Sequence, residues 1–488
     1  MLNFKRLHKQ LHRTLKQGKV FLILTAVFFA FSSCKKTKDN AAQDLITLYL
    51  LSLSSAMEDV FVFVSNDDTS KNTISTIRHS MSGNQFIGDL ALSTVPGAMV
   101  ATSRNRLYAV LRGENSVAVL DANQRPPVLI KKIHTGERSG HIYLDPDGRH
   151  IWVMNDGNYA TGIDTDATNL DCSASSKASV TVIRDGETGA IADNAAVLVK
   201  NICVGKGHHK TGFSPKKAFI SNIKDGSLTV INNDPASPGR FGASATISLC
   251  SQTGEDALSS GITCSGGTTP NSASPHGIGY SSATGKIYNS NSGYGSVVEI
   301  DPATNSITRT ANTLFSNALM ITPGQNFAII KAVDNASDAN HITGKITALR
   351  LSDMTFSTLD LPDANPDHFS FNHDGTKIYV TTSKGYGVSA DQALNQKLDS
   401  LYAVSIASLP AAPLLIKEIK VGKTSDPHRS IGVISHDGMT MAVLVPNYDD
   451  GTVSVIDPMT ESILQTITVG GKPDSMSVFM PGMGSGGH

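Results

Sequence analysis

Histidine is the residue whose placement in this chain most invites chemistry. The sequence holds 15 histidines, and five of them stand at the same point of a recurring pattern. They are His141 in RSGHIYLD, His209 in KGHHKTGFS, His276 in SPHGIGYS, His368 in PDHFSFN and His428 in DPHRSIG. Each opens or immediately precedes a short apolar run. Neutral imidazole is the common nitrogen ligand of copper, zinc and iron, so several brought to one point would hold a transition metal. Charged residues flank the same positions: Arg138, Lys206, Lys210, Asp367, Asp426, Arg429 and Asp474. Such groups orient metal ligands from behind or hold an anion. His208 adjoins His209, and neighbours along a strand face opposite ways. His209, nearer the apolar run, is the one expected to point with the others. A competing reading makes these histidines repeat residues that only hydrogen-bond, and both readings stay open at this level.

What must position them is a repeating unit. Residues 426–481 read as four short strands and the start of a fifth: RSIGVIS, MTMAVLVP, TVSVID and ILQTITV, then SMSVF. Each run is β-branched and apolar, bounded by Gly, Asn, Asp and Pro. The first-strand type recurs as AMVATS, HIYLDPDG, KTGFSP, HGIGYSS, ALMITPG, HFSFNHDG, SIGVISHDG and SMSVFMPG. A four-stranded unit recurring down the chain is the blade of a β-propeller. The last run, SMSVFMPG, has no strands after it. The opening runs VFVFVSND, NTISTIRHS and FIGDLALS have no first strand before them. Joining the two halves closes a ring and removes the free sheet edge. The fold class expected is therefore all-β, an eight-bladed propeller closed by pairing of residues 475–480 beside 60–64. A seven-bladed ring is the alternative, with residues 316–361 as the weakest repeat. First strands line the channel, so the histidines at their starts converge on one mouth.

The runs TVSVIDPMTESILQTITVGGKPDSMSVF and SVVEIDPATNSITRT resemble the YVTN-type propeller repeats of bacterial surface and periplasmic proteins. The same repeats are similar to the haem-binding eight-bladed propeller of cytochrome-type nitrite reductases. The resemblance spans residues 58–481. It implies the fold, and a metal or haem at the mouth, while the repeat itself hosts many activities. There is no CxxCH attachment motif, so a haem here would be non-covalent. GxSxG, P-loop and HExxH motifs are absent, and Trp152 is the only tryptophan, which excludes a cofactor made from paired tryptophans. Asn155, Asn222, Asn291 and Asn447 end second strands and are expected to cap turns. His373 and His436 sit in solvent-facing turns.

The N-terminus reads as an export signal. Six Lys and Arg precede the apolar run VFLILTAVFFAF, which is short for a membrane span. The segment ends in FSSC at Cys34 and resembles a bacterial lipoprotein signal, which implies a lipidated Cys34. Lys35 after it implies the outer membrane, facing periplasm or cell surface. The expected divisions are a signal at 1–33, a tether at 34–57, the propeller at 58–481 and a tail at 482–488. Four further cysteines in an exported chain suggest disulfides, paired by proximity as Cys172 with Cys203 and Cys250 with Cys264. Charged residues make up only 17% of the chain. Without residues 1–33, 35 Lys and Arg face 42 Asp and Glu, a balance that argues against nucleic acid. Long insertions fall at 155–178, 250–274 and 384–400, and loops on a rigid scaffold often carry function.

These observations predict an exported lipoprotein that binds a ligand at a histidine-rich channel mouth. Copper, another transition metal or non-covalent haem is the expected ligand. The rivals are a surface-displayed protein- or glycan-binding module without a cofactor, and a periplasmic redox enzyme with an electron partner. The membrane is the partner through the lipid anchor.

Overall fold

The computed structural model describes residues 59–481, apart from residues 81, 169, 171–176, 187–195, 209, 251–268, 386 and 426–429. The signal, the tether with Cys34, and the tail lie outside the described residues. Thirty-two strands, β1–β32 in chain order, form eight four-stranded sheets. Seven sheets are consecutive meanders. The eighth is mixed in origin: β32 (Pro473–Phe479) pairs with β1 (Val60–Asn66), followed by β2 (Thr73–Ser80) and β3 (Gly83–Ala91). The ring is closed as expected, with eight blades. The weak repeat is a full blade, built from β20 (Ala318–Ile321), β21 (Phe327–Asp334), β22 (Thr343–Arg350) and β23 (Phe356–Pro362).

Closure is antiparallel, with Phe61 opposite Phe479, Val62 opposite Val478 and Val64 opposite Met476. Phe63 and Phe479 meet at 5.9 Å between ring centroids, and the Arg125 guanidinium lies 3.9 Å over Phe61. Apolar packing runs between blades rather than within one core. Val62 and Ile77 of the closing blade pack on Ile434 and Leu444 of the last blade. On its other face, Phe63 and Ile74 pack on Met99, Leu107 and Leu120. The same arrangement continues round the ring, so each sheet is sealed on both faces. That explains the near-continuous apolar runs such as Val117–Leu120 and Leu401–Val404, all fully buried. Outermost strands have one neighbour only, and they alternate or expose their side chains, as in β27 (Leu414–Lys420).

The asparagines at second-strand ends do something other than cap turns. Each reaches across the blade to two hydroxyls. Asn155 Nδ2 donates to Ser179 Oγ (2.8 Å) and Thr181 Oγ1 (2.9 Å). Asn222 binds Ser227 and Thr229, both at 3.0 Å. Asn447 binds Thr452 and Ser454, both at 2.9 Å. Asn66 binds Thr73 and Ser75 in the same way, both at 2.9 Å. Asn291 departs from the pattern and accepts from Asn289 at 2.7 Å. A glycine lies against three of these amides: a Cβ on Gly136, Gly205 or Gly422 would come within 2.7 Å of Asn155, Asn222 or Asn447. The recurring Thr-Gly and Val-Gly at blade exits exist because the next blade's amide occupies the space of a side chain.

Two outcomes follow for stability. A chain ending at Gly470 lacks β32 and leaves β1 as an open edge; it should lose the cooperative unfolding transition of the whole ring, read by chemical denaturation. Phe479→Ala should cost about 3–5 kcal/mol, the range for a buried aromatic truncated in a core, and an unchanged midpoint would contradict this closure. Asn447→Ala strands two hydroxyls and the Gly422 N–H that Oδ1 now accepts at 3.0 Å. The expected loss is about 1–3 kcal/mol by the same measurement.

Candidate functional site

The first strands of adjacent blades enter the ring from one side. Six of them bring their N-terminal ends to a shared cavity of about 920 Å³. They are β8 (Ser139–Leu144), β12 (Thr211–Phe213), β16 (Pro275–Ser281), β20, β24 (Pro366–Phe371) and the approach to β28 (Gly432–His436). His141, His276 and His368 line this cavity, together with Arg138, Lys210 and Asp367. His209, His428, Asp426 and Arg429 lie outside the described residues. Lys206 is not on the wall. The wall also holds His208, which strand alternation had set behind His209, and Asp156, Asn317, Lys331 and Arg112, which no sequence pattern marked.

His208 is placed by its glycine. Gly207 adopts φ +97°, and a Cβ there would meet Lys224 and Ile223 side chains within 2.8 Å. The chain therefore bends before β12 begins at Thr211, and strand alternation does not govern His208. Its Nδ1–H donates to Asp156 Oδ2 at 3.0 Å. Its Nε2 lies 2.8 Å from His141 Nε2. Arg112 also binds Asp156 Oδ2, at 3.0 Å. With Nδ1–H committed to the carboxylate, a neutral His208 presents a lone pair at Nε2, and His141 Nε2–H donates to it. Two imidazole nitrogens each about 2.0–2.1 Å from one ion sit about 2.9 Å apart at a right angle, so this separation fits adjacent positions of a square-planar or octahedral shell, and a tetrahedral ion would need it to widen by roughly 0.5 Å.

His276 stands across the cavity, 5.4 Å from His208 between ring centroids. Its Nδ1–H donates to Asn317 Oδ1 at 2.5 Å, which leaves the lone pair on Nε2. Burial, reinforced by His208, Lys210 and Lys331, holds its pKa well below the ordinary imidazole range. Two of the imidazoles thus have one nitrogen anchored by a carboxylate or carboxamide and the other left to bind, which is the second-sphere arrangement of metal-ligating histidines. His368 is half-buried in the same wall, its backbone N–H donating to Thr381 Oγ1 at 3.2 Å.

Two lysines share the cavity. Burial brings Lys210 down to about 8, with Lys331 adding to the effect. Lys331 is lowered for the same first reason, with Asp367 opposing it at 3.6 Å. At the rim, Tyr159 from the 155–178 insertion stacks on Arg138 at 5.2 Å, and Lys224 Nζ donates to the carbonyls of Tyr159 and Ala160. The 384–400 insertion carries a short helix, Ala390–Asn395, capped by Ser389 and Gln392 and tied to the carbonyl of Asn335.

Among the described residues, one group of three offers ligand atoms all within 4.8 Å, and it lies elsewhere: Asp145, Asp147 and His150 at the turn joining β8 to β9 (His150–Asn155). Arg240 bridges both carboxylates at 3.3 and 2.8 Å, and Trp152 Nε1 and Asn233 donate to Asp145. Arg240 offsets one of the two carboxylate charges, and the cluster holds blades three and four together. Cys203 and Cys250 are buried and neither stands as a free thiol. Cys172 and Cys264, their expected partners, lie outside the described residues.

No family profile and no curated protein matches the chain. Solved structures do match. Apo AztD from Citrobacter koseri is 14% identical with a TM-score of 0.53, covering 88% of this chain and 99% of that one. The dihydro-haem d1 dehydrogenase NirN, in complex with DHE, is 11% identical with a TM-score of 0.55, covering 86% and 74%. A Bacteroides fragilis protein described as a putative 6-phosphogluconolactonase is 13% identical with a TM-score of 0.50, covering 88% and 99%. At these identities the likeness is one of fold. The chain is an eight-bladed β-propeller with a histidine-lined cavity at one mouth.

The anchoring of His276 predicts its tautomer. At pH 6, nitrogen NMR should find it neutral, with the proton on Nδ1 and the lone pair on Nε2. A protonated ring at that pH would contradict the burial that sets it.

Proposed function

We propose that this chain is an exported, lipid-anchored propeller that binds a transition-metal ion at its channel mouth. The observation that carries the reading is the His208 imidazole: Nδ1 is fixed by Asp156, and Nε2 lies 2.8 Å from His141 Nε2. His276, with its Nδ1 held by Asn317, is the third ligand candidate, and His368 the fourth. Imidazole donors suit copper, zinc, iron or nickel rather than the oxygen-seeking ions. The similar NirN is a dihydro-haem d1 dehydrogenase, solved in complex with DHE, so absorption spectra must separate an ion from a haem. Lipidation at Cys34, outer-membrane attachment and the pairings Cys172–Cys203 and Cys250–Cys264 complete this reading.

Elemental analysis and absorption spectroscopy of untagged protein, prepared without chelators, test it. About one metal ion per chain is expected, lost in His141→Ala/His208→Ala. Asp156→Asn should keep the site but weaken it by about 10–100-fold, the usual effect of removing a carboxylate behind a ligating histidine. No stoichiometric metal and no chromophore in the natural protein would overturn the reading. The rival, a cofactor-free interaction module, has its own observation: the outer strand β27 exposes Leu414 at 67%, Leu415 at 38% and Ile416 at 45%.

A further inference from the structure

The cavity carries a charge excess that the histidines do not explain. Among the described residues its wall holds Arg112, Arg138, Lys210, Lys224 and Lys331, against the carboxylates Asp156 and Asp367. Arg112 is matched to Asp156, and Lys331 to Asp367. Lys224 is spent on the carbonyls of the 155–178 loop. Lys210 has its backbone N–H on Ser221 Oγ at 2.8 Å, while its ammonium makes no ion pair with any described carboxylate. It lies within electrostatic reach of Lys331, Asp156 and Asp367, at the centre of the group. Both carboxylates already serve another cation, and a partly buried ammonium with no ion pair of its own to a described carboxylate is costly. Apolar side chains line part of the wall, Ile278, Leu319, Met320, Val333 and Phe369, beside polar groups such as Asn317, Asn365 and Ser430. The volume is that of a small-molecule site.

We propose that this cavity binds a small organic anion, its phosphate or carboxylate oxygens seated between Lys210 and Lys331 and its body against the apolar wall formed by Leu319, Met320 and Phe369. The lysines act as point charges, suited to either oxyanion. The site does not depend on a metal. An anion seated there would lower the positive potential that an ion at His141 and His208 meets, so the two ligands would bind with positive coupling.

The test uses chelator-treated full-length protein, titrated calorimetrically with inorganic phosphate and, separately, with malonate, at constant ionic strength balanced by chloride. Saturable 1:1 binding of at least one probe is expected, and comparison of the two identifies the preferred oxyanion. Lys210→Met should weaken that binding at least tenfold with unchanged circular dichroism and no loss of melting temperature, and Lys331→Met should weaken it likewise, with a lower melting temperature because Asp367 loses its partner. His141→Ala/His208→Ala should retain it, and that outcome keeps this inference separate from the metal reading. Binding of neither probe above the chloride background overturns the proposal, and so does binding that survives both lysine substitutions.

Discussion

Everything in this molecule depends on a sheet edge that has no partner of its own in sequence. β1 begins the propeller without a first strand, and β32 ends it without a second. Their pairing joins residues more than 400 positions apart, as in the bond from Ser65 Oγ to the Ser475 carbonyl at 3.3 Å, with a sequence separation of 410. A contact of that separation carries a large loop-closure cost. Unpaired, Val60–Val64 and Met476–Phe479 would each be an open sheet edge. Once formed, both edges disappear, and every sheet has a neighbour on each side. The sealed ring then fixes where the first strands start, and so where the cavity lies.

The cavity inherits its chemistry from that geometry. A residue just before a first strand is at the mouth whichever blade it belongs to. His141, His208 and His276 come from three successive blades, and Asn317, Lys331, Asp367 and His368 from the next two. No two of these blades need be adjacent in function, yet packing makes them adjacent in space. Burial then sets protonation. His276 is kept neutral by loss of solvent and by two nearby ammonium groups, which is the state in which an imidazole binds a metal ion.

The fold was legible because each blade repeats its punctuation. Asp-Pro-Asp-Gly or His-Asp-Gly turns follow three of the first strands, and the other five, including the one that closes the ring, were marked by recurrence of the short apolar run between Gly, Pro, Ser and Asn. The site was legible only as far as the repeat carried it. His141, His276 and His368 stand in register, and the structure brings them to one cavity. His208 escaped because alternation was applied to a residue that precedes its strand, beyond a glycine bend. Asp156 and Asn317 sit in loops and act on histidines from other turns of the chain, a pairing no local pattern contains. Lys331 left a usable signal: a lysine inside the apolar run FAIIKAVD is a charge where a second strand should be buried. The asparagine clamps left one too, since each amide precedes two hydroxyl residues spaced two apart, the period of one strand face.

Stability and recognition are lodged on different parts of the ring. Closure rests on the first and last blades, through Phe63, Phe479 and the packing of Val62 on Leu444. The polar mouth is built by the strands from β8 to β24, and Arg240 with Asp145 and Asp147 ties blades three and four at the far end from the histidines. The Lys210 ammonium, which makes no ion pair with a described carboxylate, therefore sits where the ring is held by other means. A destabilising cluster is tolerated when the elements around it are over-determined, and eight blades sealed on both faces supply that excess. The insertion at 155–178 adds to the same end: it begins at Asn155, the amide that clamps β9 to β10 (Ala178–Asp185), and it then turns back to lay Tyr159 and Asn158 over the mouth. One residue thus marks where the scaffold stops and the ligand-facing loop starts.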